Sequence, residues 1–379
     1  MLMPKSYKYI AALALSLVAY LHSHATPLAA SITPVPHYAK NFEITHHATH
    51  RIVTIRNVHS GSTATHQYAL VPKGETLPKL PEAITVIRTP VTRVVVMETV
   101  YIGYLDALNQ LDTIIGAATP NYVSNATIRA RIEDGTIQKV QFGAALNIER
   151  MLLLQPDLIL TSITGDAAFD IPVKLARSGL PVVLSAGYME QHPLARAEWI
   201  KFIAAFFDTE DLAEQTFEHI ATRYESLHET VEQIEQRPTV FCGAPYSGAW
   251  HMAGGESYVA QAIRDAGGDY LWAEVPGSGA IPLDTERVFR KAAHADIWIN
   301  PSFYQSLNEL CGADQRFQKF HAVQTGQVFN NTKQRTASGG NSIWERGIVH
   351  PDDVLADLIK VFHPELMPDW EFIYYQQLK

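Results

Sequence analysis

A chain of 379 residues is long for one hydrophobic core, so two lobes are the default organisation. Its composition, 47% hydrophobic and 18% charged, is that of a folded protein, and a net charge of −9 without a basic run argues against nucleic acid or an anionic membrane surface as a partner. Cys242 and Cys311 are the only cysteines, too few for a disulfide scaffold or a zinc site of cysteine alone; one disulfide and two core thiols both fit.

Residues 1–25 read as a secretory signal. Lys5 and Lys8 form its positive end, and residues 10–21 are an apolar run shorter than the ~18 residues a membrane span needs. Ser23, His24 and Ala25 put small residues where a signal is cut, and Ala30 offers a later position. No cysteine follows the run, so a bacterial-type lipid anchor is not expected. The mature protein is expected to be soluble and periplasmic.

Residues 26–90 have a different texture. Short strands are predicted over 42–44, 51–58, 67–71 and 84–88, separated by turn-rich segments such as Ser60-Gly61-Ser62 and Pro72-Lys73-Gly74. This is a β-rich extension. His46, His47 and His50 cluster there, but no carboxylate or cysteine joins them at a familiar ligand spacing, so no metal site is expected.

A first α/β lobe is expected over 91–208. Strands are predicted over 94–97, 113–117, 158–161 and 181–184, and helices over 101–111, 147–154 and 171–178. Asn147 suits a helix cap, with Glu149 in the first turn. Strands alternating with helices imply a parallel sheet covered on both faces.

Residues 209–236 contain no Gly or Pro. Ala213, Phe217, Ile220, Tyr224, Leu227, Val231 and Ile234 recur at four- and three-residue steps, one stripe of a helix. Asp208 or Thr209 is the predicted cap, and Arg237-Pro238 the stop. At 1.5 Å per residue the rod would be ~40 Å long. It is read as a rigid spacer.

The second lobe, 237–379, repeats the α/β texture. Strands are predicted over 239–242 and 296–300, with 317–322 and 328–329 as the last unit. Helices are predicted over 258–266, 285–293 and 352–362, followed by a tail from His363.

Enzyme signatures are missing. There is no phosphate-binding G-x-x-x-x-G-K-[ST], no H-E-x-x-H, no G-x-S-x-G elbow and no G-x-G-x-x-G after a strand. Gly277-Ser278-Gly279 reads as a turn. A secreted α/β hydrolase or redox enzyme with a dispersed site is the second reading. Aromatic residues instead mark predicted loops: Tyr101, Tyr122 and Phe142 in the first lobe, Tyr246, Trp250, Trp272 and Trp344 in the second. In open α/β sheets ligands lie outside the carboxyl ends of strands, and aromatic faces there suit a large, partly apolar ligand. Arg129, Arg131 and Arg346 are candidate charges for an anionic ligand. Arg346 has a structural alternative as partner of Glu345 or another carboxylate. His192 and His251 are the candidates for a third idea, direct binding of a bare metal ion.

Three pieces in order carry a family resemblance. Asn147-Ile148-Glu149-Arg150 runs on to Gln155-Pro156-Asp157-Leu158-Ile159-Leu160. Gly254-Gly255-Glu256-Ser257-Tyr258 leads to Asp265-Ala266-Gly267-Gly268. Trp344-Glu345-Arg346-Gly347 precedes Pro351-Asp352 and His363-Pro364-Glu365-Leu366. From about residue 93 to 378 the chain resembles the periplasmic substrate-binding proteins of ABC importers for ferric siderophores, haem and vitamin B12. The resemblance implies an α/β fold of two Rossmann-like lobes joined by a single long rigid helix, with the β-rich extension added before it. It implies a monomeric binding protein without catalysis, cofactor or resident metal. The ligand, a metal chelate or corrinoid, would lie between the lobes, and an importer permease would be the partner. By motif position Glu149 and Glu256 would dock to that permease.

Overall fold

The computed structural model describes residues 36–379 apart from 83, 143–144, 167–169, 171–174 and 176–177. The signal expected over 1–25 and most of the helix expected over 171–178 lie outside the described residues.

Short apolar runs such as Val94–Val96, Leu158–Thr161 and Val182–Leu184 suit strands covered on both faces. They form a five-stranded sheet in the order Val182–Leu184, Leu158–Thr161, Val94–Val96, Ile114–Ala117, Gln138–Lys139, with every pair parallel. The strand order reverses between Val94–Val96 and Leu158–Thr161, which makes that gap the topological switch point.

The second sheet runs Asp269–Tyr270, Thr239–Cys242, Ile297–Ile299, Val328–Asn330 in parallel and ends with Gln376–Gln377 antiparallel. Its switch point lies between Thr239–Cys242 and Ile297–Ile299. Residues 363–379, expected as the tail of this lobe, therefore supply an edge strand of its sheet. The buried carboxylate of Asp357 accepts the backbone N–H of Tyr374 at 2.6 Å and of Tyr375 at 2.9 Å, and Tyr374, Tyr375 and Leu378 are buried. A two-residue polar strand has no periodicity to betray it. An antiparallel sheet of Pro245–Tyr246, Ala249–Ala253 and Ala280–Leu283 was also not anticipated.

The long helix spans Glu210–Glu232, 23 residues or about 35 Å, and lies in sequence between the strands of the first sheet and those of the second, Val94–Val96 to Val182–Leu184 before it and Thr239–Cys242 onward after it. Ala213, Phe217, Ile220, Tyr224 and Val231 of the predicted stripe are buried, and Leu227 and Ile234 are partly so. The start falls where predicted, with Thr209 at the N-cap position, but without the expected side-chain bond, and the end needs correction. Asp208 adopts a left-handed φ of 56° and gives its carboxylate to Arg51, while Thr209 makes no side-chain cap bond. The helix stops a turn before Arg237, whose guanidinium donates to the carbonyls of Glu232 and Ile234 at 3.4 Å and so satisfies the last turn. Lys201 ties the helix to the first lobe through Glu214 at 2.9 Å, and Arg223 ties it to the second through Asp352 and, at 2.6 Å, Asp353.

The extension forms its own sheet in the order Phe42–His46, Arg51–Ile55, His66–Pro72, Thr85–Thr89. Buried acids hold it to the first lobe. Glu198, fully buried, accepts the N–H groups of His37, Tyr38 and Ala39, each at 2.8 Å. Glu190 accepts those of Lys40 and Asn41 at 3.0 Å. Phe42 packs edge-on to Trp199 at 4.9 Å.

Both cysteines are free thiols: Cys242 is buried with its Sγ 3.8 Å from Met252 Sδ, and Cys311 is half-buried on the helix Leu307–Ala313.

Candidate functional site

At the first switch point, Glu98 follows Val94–Val96. Its Oε1 accepts from the Ser162 amide and hydroxyl at 3.2 Å and from Thr161 Oγ1 at 3.3 Å, while Oε2 is buried without a partner. Burial pushes its pKa from the usual 4.5 up to about 7, against the pull of these donors. At the second switch point Asn300 follows Ile297–Ile299 with a left-handed φ of 53°. The two sheets thus present polar groups at the places where open α/β sheets hold ligands.

Two adjoining hollows lie on the second-lobe side. One has about 580 Å³ of empty space, part of it open to solvent, and includes Arg196, Tyr258, Asn300, Asn331, Trp344 and Tyr375. The next shares Tyr258, Asn300, Asn331 and Trp344 and adds His251 and Cys242. Arg196 of the first lobe sits over the Tyr258 ring at 4.1 Å. A third hollow, about 840 Å³ with part open to solvent, lies between the lobes. Asp106, Ser124, Asn125 and Arg129 form one wall, and Arg335, Glu345 and Arg346 face them.

The lobes touch at this third hollow. Glu345 accepts the amides of Ser124 at 2.9 Å and Asn125 at 2.8 Å, and Asn125 Oδ1 in turn caps the helix Ala126–Glu133. Burial raises the Glu345 pKa against those same amides. A Cβ on Gly103 would lie 2.2 Å from the Glu345 carbonyl oxygen, and one on Gly340 would lie 2.7 Å from the Val123 carbonyl oxygen. Only glycine allows these backbones so close.

The sequence candidates divide. Tyr122, Tyr246 and Trp344 are exposed by 62%, 71% and 45% on segments that follow sheet strands. Trp250 and Trp272 are core residues instead. Trp250 is fully buried, its ring 5.6 Å from Trp298 and 6.0 Å from Phe317, because its strand turns inward against Phe289. Trp272 is 1% exposed. Tyr101 is buried against Glu98 and Ser185, beneath the first switch point. Phe142 lies on the strand Gln141–Phe142, and its side chain is outside the described residues. Sequence reasoning missed Glu98, Tyr258, Asn300, Phe303 and Arg335. Phe303, 67% exposed after Ile297–Ile299, carried the same signal as Tyr246, an aromatic just past a strand.

Two of the arginine candidates are structural. Arg131 donates to the carbonyls of Leu111 and Ile114 and to Asp112. Arg346 donates to Asp353 and Tyr374, both at 2.7 Å. His192 and His251 are far apart in role. His192 Nδ1 accepts the Leu194 amide, and its Nε2 lies 3.7 Å from Asp265. Burial lowers its pKa, with Asp265 opposing. His251 is exposed beside Tyr246. Among the described residues no group of three His, Cys, Asp or Glu is arranged to hold a metal ion. Glu149 and Glu256 are both exposed, one on each lobe. No helix among the described residues is long and apolar enough to cross a membrane.

A family model described as periplasmic binding protein matches residues 94–334. An uncharacterized lipoprotein of Methanocaldococcus jannaschii is 27% identical over 296 residues, 76% of this chain and 69% of that protein. Three solved structures share the fold. A periplasmic binding protein from Veillonella parvula aligns with a TM-score of 0.58 at 14% identity, over 84% of this chain and 99% of its own. The molybdate periplasmic binding protein of Haemophilus influenzae gives 0.57 at 15%, over 76% and 90%. A protein of an ABC-type Fe3+-hydroxamate transport system from Saccharomonospora viridis gives 0.54 at 17%, over 72% and 93%.

Proposed function

Because the chain belongs to the periplasmic binding protein family, we propose that it is the receptor of an ABC importer that captures an iron chelate between its lobes. It acts outside the inner membrane once residues 1–25 are removed, delivers its cargo to the permease and catalyses no reaction. The observation that carries this reading is the set of four exposed aromatics, Tyr122, Tyr246, Phe303 and Trp344. Each lies on a segment that follows a strand of one of the two parallel sheets, and such faces suit a large, partly flat ligand. The polar groups at both switch points, Glu98 and Asn300, support a site between the sheets. Haem and vitamin B12 fit the same geometry and are the alternatives within the family.

Tryptophan fluorescence of the mature protein, titrated with ferric siderophores, haem and cobalamin, tests the proposal. Saturable quenching by a ferric siderophore at about micromolar Kd or tighter is expected. Saturation by haem or cobalamin alone moves the cargo to that class. A folded protein that responds to none of them overturns the receptor reading.

A further inference from the structure

Four parts of the chain meet at one imidazole. His192 opens the helix Pro193–Ala197 in the first lobe, and Asp265 closes the helix Tyr258–Asp265 in the second. His192 Nε2 lies 3.7 Å from the Asp265 carboxylate. The long helix reaches the same spot twice. Its Tyr224 hydroxyl donates to Asp265 Oδ2 at 2.7 Å, and its His228 Nδ1 donates to the Asp265 carbonyl oxygen at 2.9 Å. From the extension, the Tyr38 ring stacks on His192 with centroids 5.6 Å apart, and its hydroxyl donates to Glu225 of the long helix. None of His192, Asp265, Tyr224, His228 and Tyr38 lines the three hollows described above.

The two ring nitrogens of His192 are committed differently. Nδ1 accepts the Leu194 amide at 3.1 Å, the cap bond of its helix, so the neutral ring carries its hydrogen on Nε2, facing Asp265. A second proton can enter only at Nδ1. There it ends the Leu194 bond, because a protonated nitrogen has no lone pair to offer. The same proton charges the ring opposite Asp265 and makes Nε2–H a charge-assisted donor. The cap and the ion pair therefore exclude each other. Asp265 is buried and held in place, its other oxygen accepting from Gln261 at 2.7 Å. Neighbouring charges set where the exchange falls. Burial lowers the His192 pKa, Asp265 opposes it, and His228, Lys40 and Arg264 add to the lowering. The nearby acids are engaged elsewhere, Glu225 by Tyr38 and Glu190 by the amides of Lys40 and Asn41. The ring is thus neutral at neutral pH and titrates below the usual 6.5. It lines a hollow with Lys40 and Ser278 that is partly open to solvent, which gives the proton a path.

We propose that His192 is a proton-operated latch between the lobes. Neutral, it caps its own helix and only faces Asp265. Protonated, it leaves the cap and pairs with Asp265, so that the first lobe grips the second beside the long helix. The latch goes beyond the receptor reading and does not depend on it. In a protein that holds a ligand between its lobes, such a contact makes the grip on that ligand sensitive to mild acid.

The test uses the full mature protein without ligand, as wild type, His192→Asn and Asp265→Asn. Asn at 192 keeps an acceptor for the Leu194 amide but takes up no proton, and Asn at 265 keeps an acceptor for Tyr224. NMR follows the His192 ring and the Leu194 amide from pH 8 to 5. His192 should titrate below pH 6.5, and the Leu194 amide proton should move upfield with the same midpoint as its bond is lost. In His192→Asn that amide should stay in place. Spin labels at Glu133→Cys and Arg290→Cys, exposed on helices of the two lobes, report their separation in a Cys311→Ser background. Their distance distribution should narrow between pH 8 and 5 in the wild type and in neither variant. Circular dichroism controls for folding, and if Asp265→Asn does not fold, His192→Asn alone decides. A ring that stays neutral down to pH 5 overturns the latch. So does a Leu194 amide that ignores the titration, or a distance response equal in wild type and His192→Asn.

Discussion

The carboxylate of Glu345 accepts the backbone N–H of Asn125 at 2.8 Å across 220 residues of chain. Its other oxygen takes the Ser124 amide at 2.9 Å. A side chain of one lobe thus completes the helix start of the other. Removing it strands two donors and loosens Asn125, the cap of the helix. Glu345→Ala should destabilise the protein by about 1–3 kcal/mol, and Glu345→Gln, which keeps an acceptor, by less. Urea denaturation measures both. Equal midpoints for all three proteins would show that the contact does not hold the lobes.

Glu98 should make stability depend on pH. Its folded pKa, pushed up to about 7, lies above the unfolded value near 4.5. The folded state therefore holds the proton more tightly. The resulting stabilisation is complete below about pH 4.5 and is lost as pH rises through about 7. Part of the residue stays exposed, so the effect is set at about 1–2 kcal/mol rather than the ~3 kcal/mol a shift of this size implies. Glu98→Gln should flatten the stability profile between pH 4.5 and 8. A wild-type profile already flat over that range would contradict the buried, unpaired oxygen.

Glu198 is the anchor of the extension. Three amides, those of His37, Tyr38 and Ala39, converge on its buried carboxylate, and Lys201 balances the charge at 3.2 Å. Glu198→Ala leaves all four groups without this partner and should lower stability by about 3–5 kcal/mol. Limited proteolysis should then cut near residues 37–41 first. Cleavage elsewhere, with that segment still protected, would mean that the extension is held by its sheet and by Phe42 alone.

Docking should depend on Glu149 and Glu256. Both are exposed, one on each lobe, and as docking residues they would act by steering and matched geometry, since an exposed ion pair adds little binding energy alone. Replacing both with Ala should reduce uptake by intact cells to background while cargo affinity stays within twofold. A large drop in affinity would place them in the binding site instead.

Local pattern located most of the elements. The long helix announced itself through a stripe of seven apolar residues, and the sheet strands through short Val- and Ile-rich runs. The site was less legible. Tyr122, Tyr246 and Trp344 shared one sequence signal with Trp250 and Trp272, because an aromatic beside a strand fits a cleft and a core equally well. Burial separated them: Trp250 faces Phe241 and Trp298, whereas Tyr246 faces solvent.

The sequence by itself determined the alternation of strands and helices, the long helix, the β-rich extension and the family. These follow from periodicity and from motifs read within about thirty residues. Only the tertiary structure decided which charges are free. Arg129 and Arg131 are two residues apart, yet one turn position brings Arg131 to the carbonyls of Leu111 and Ile114 and leaves Arg129 facing the space between the lobes. Hydrogen-bond partners of this kind come from distant parts of the chain. Their presence or absence is set by how the elements pack, and no local pattern carries it.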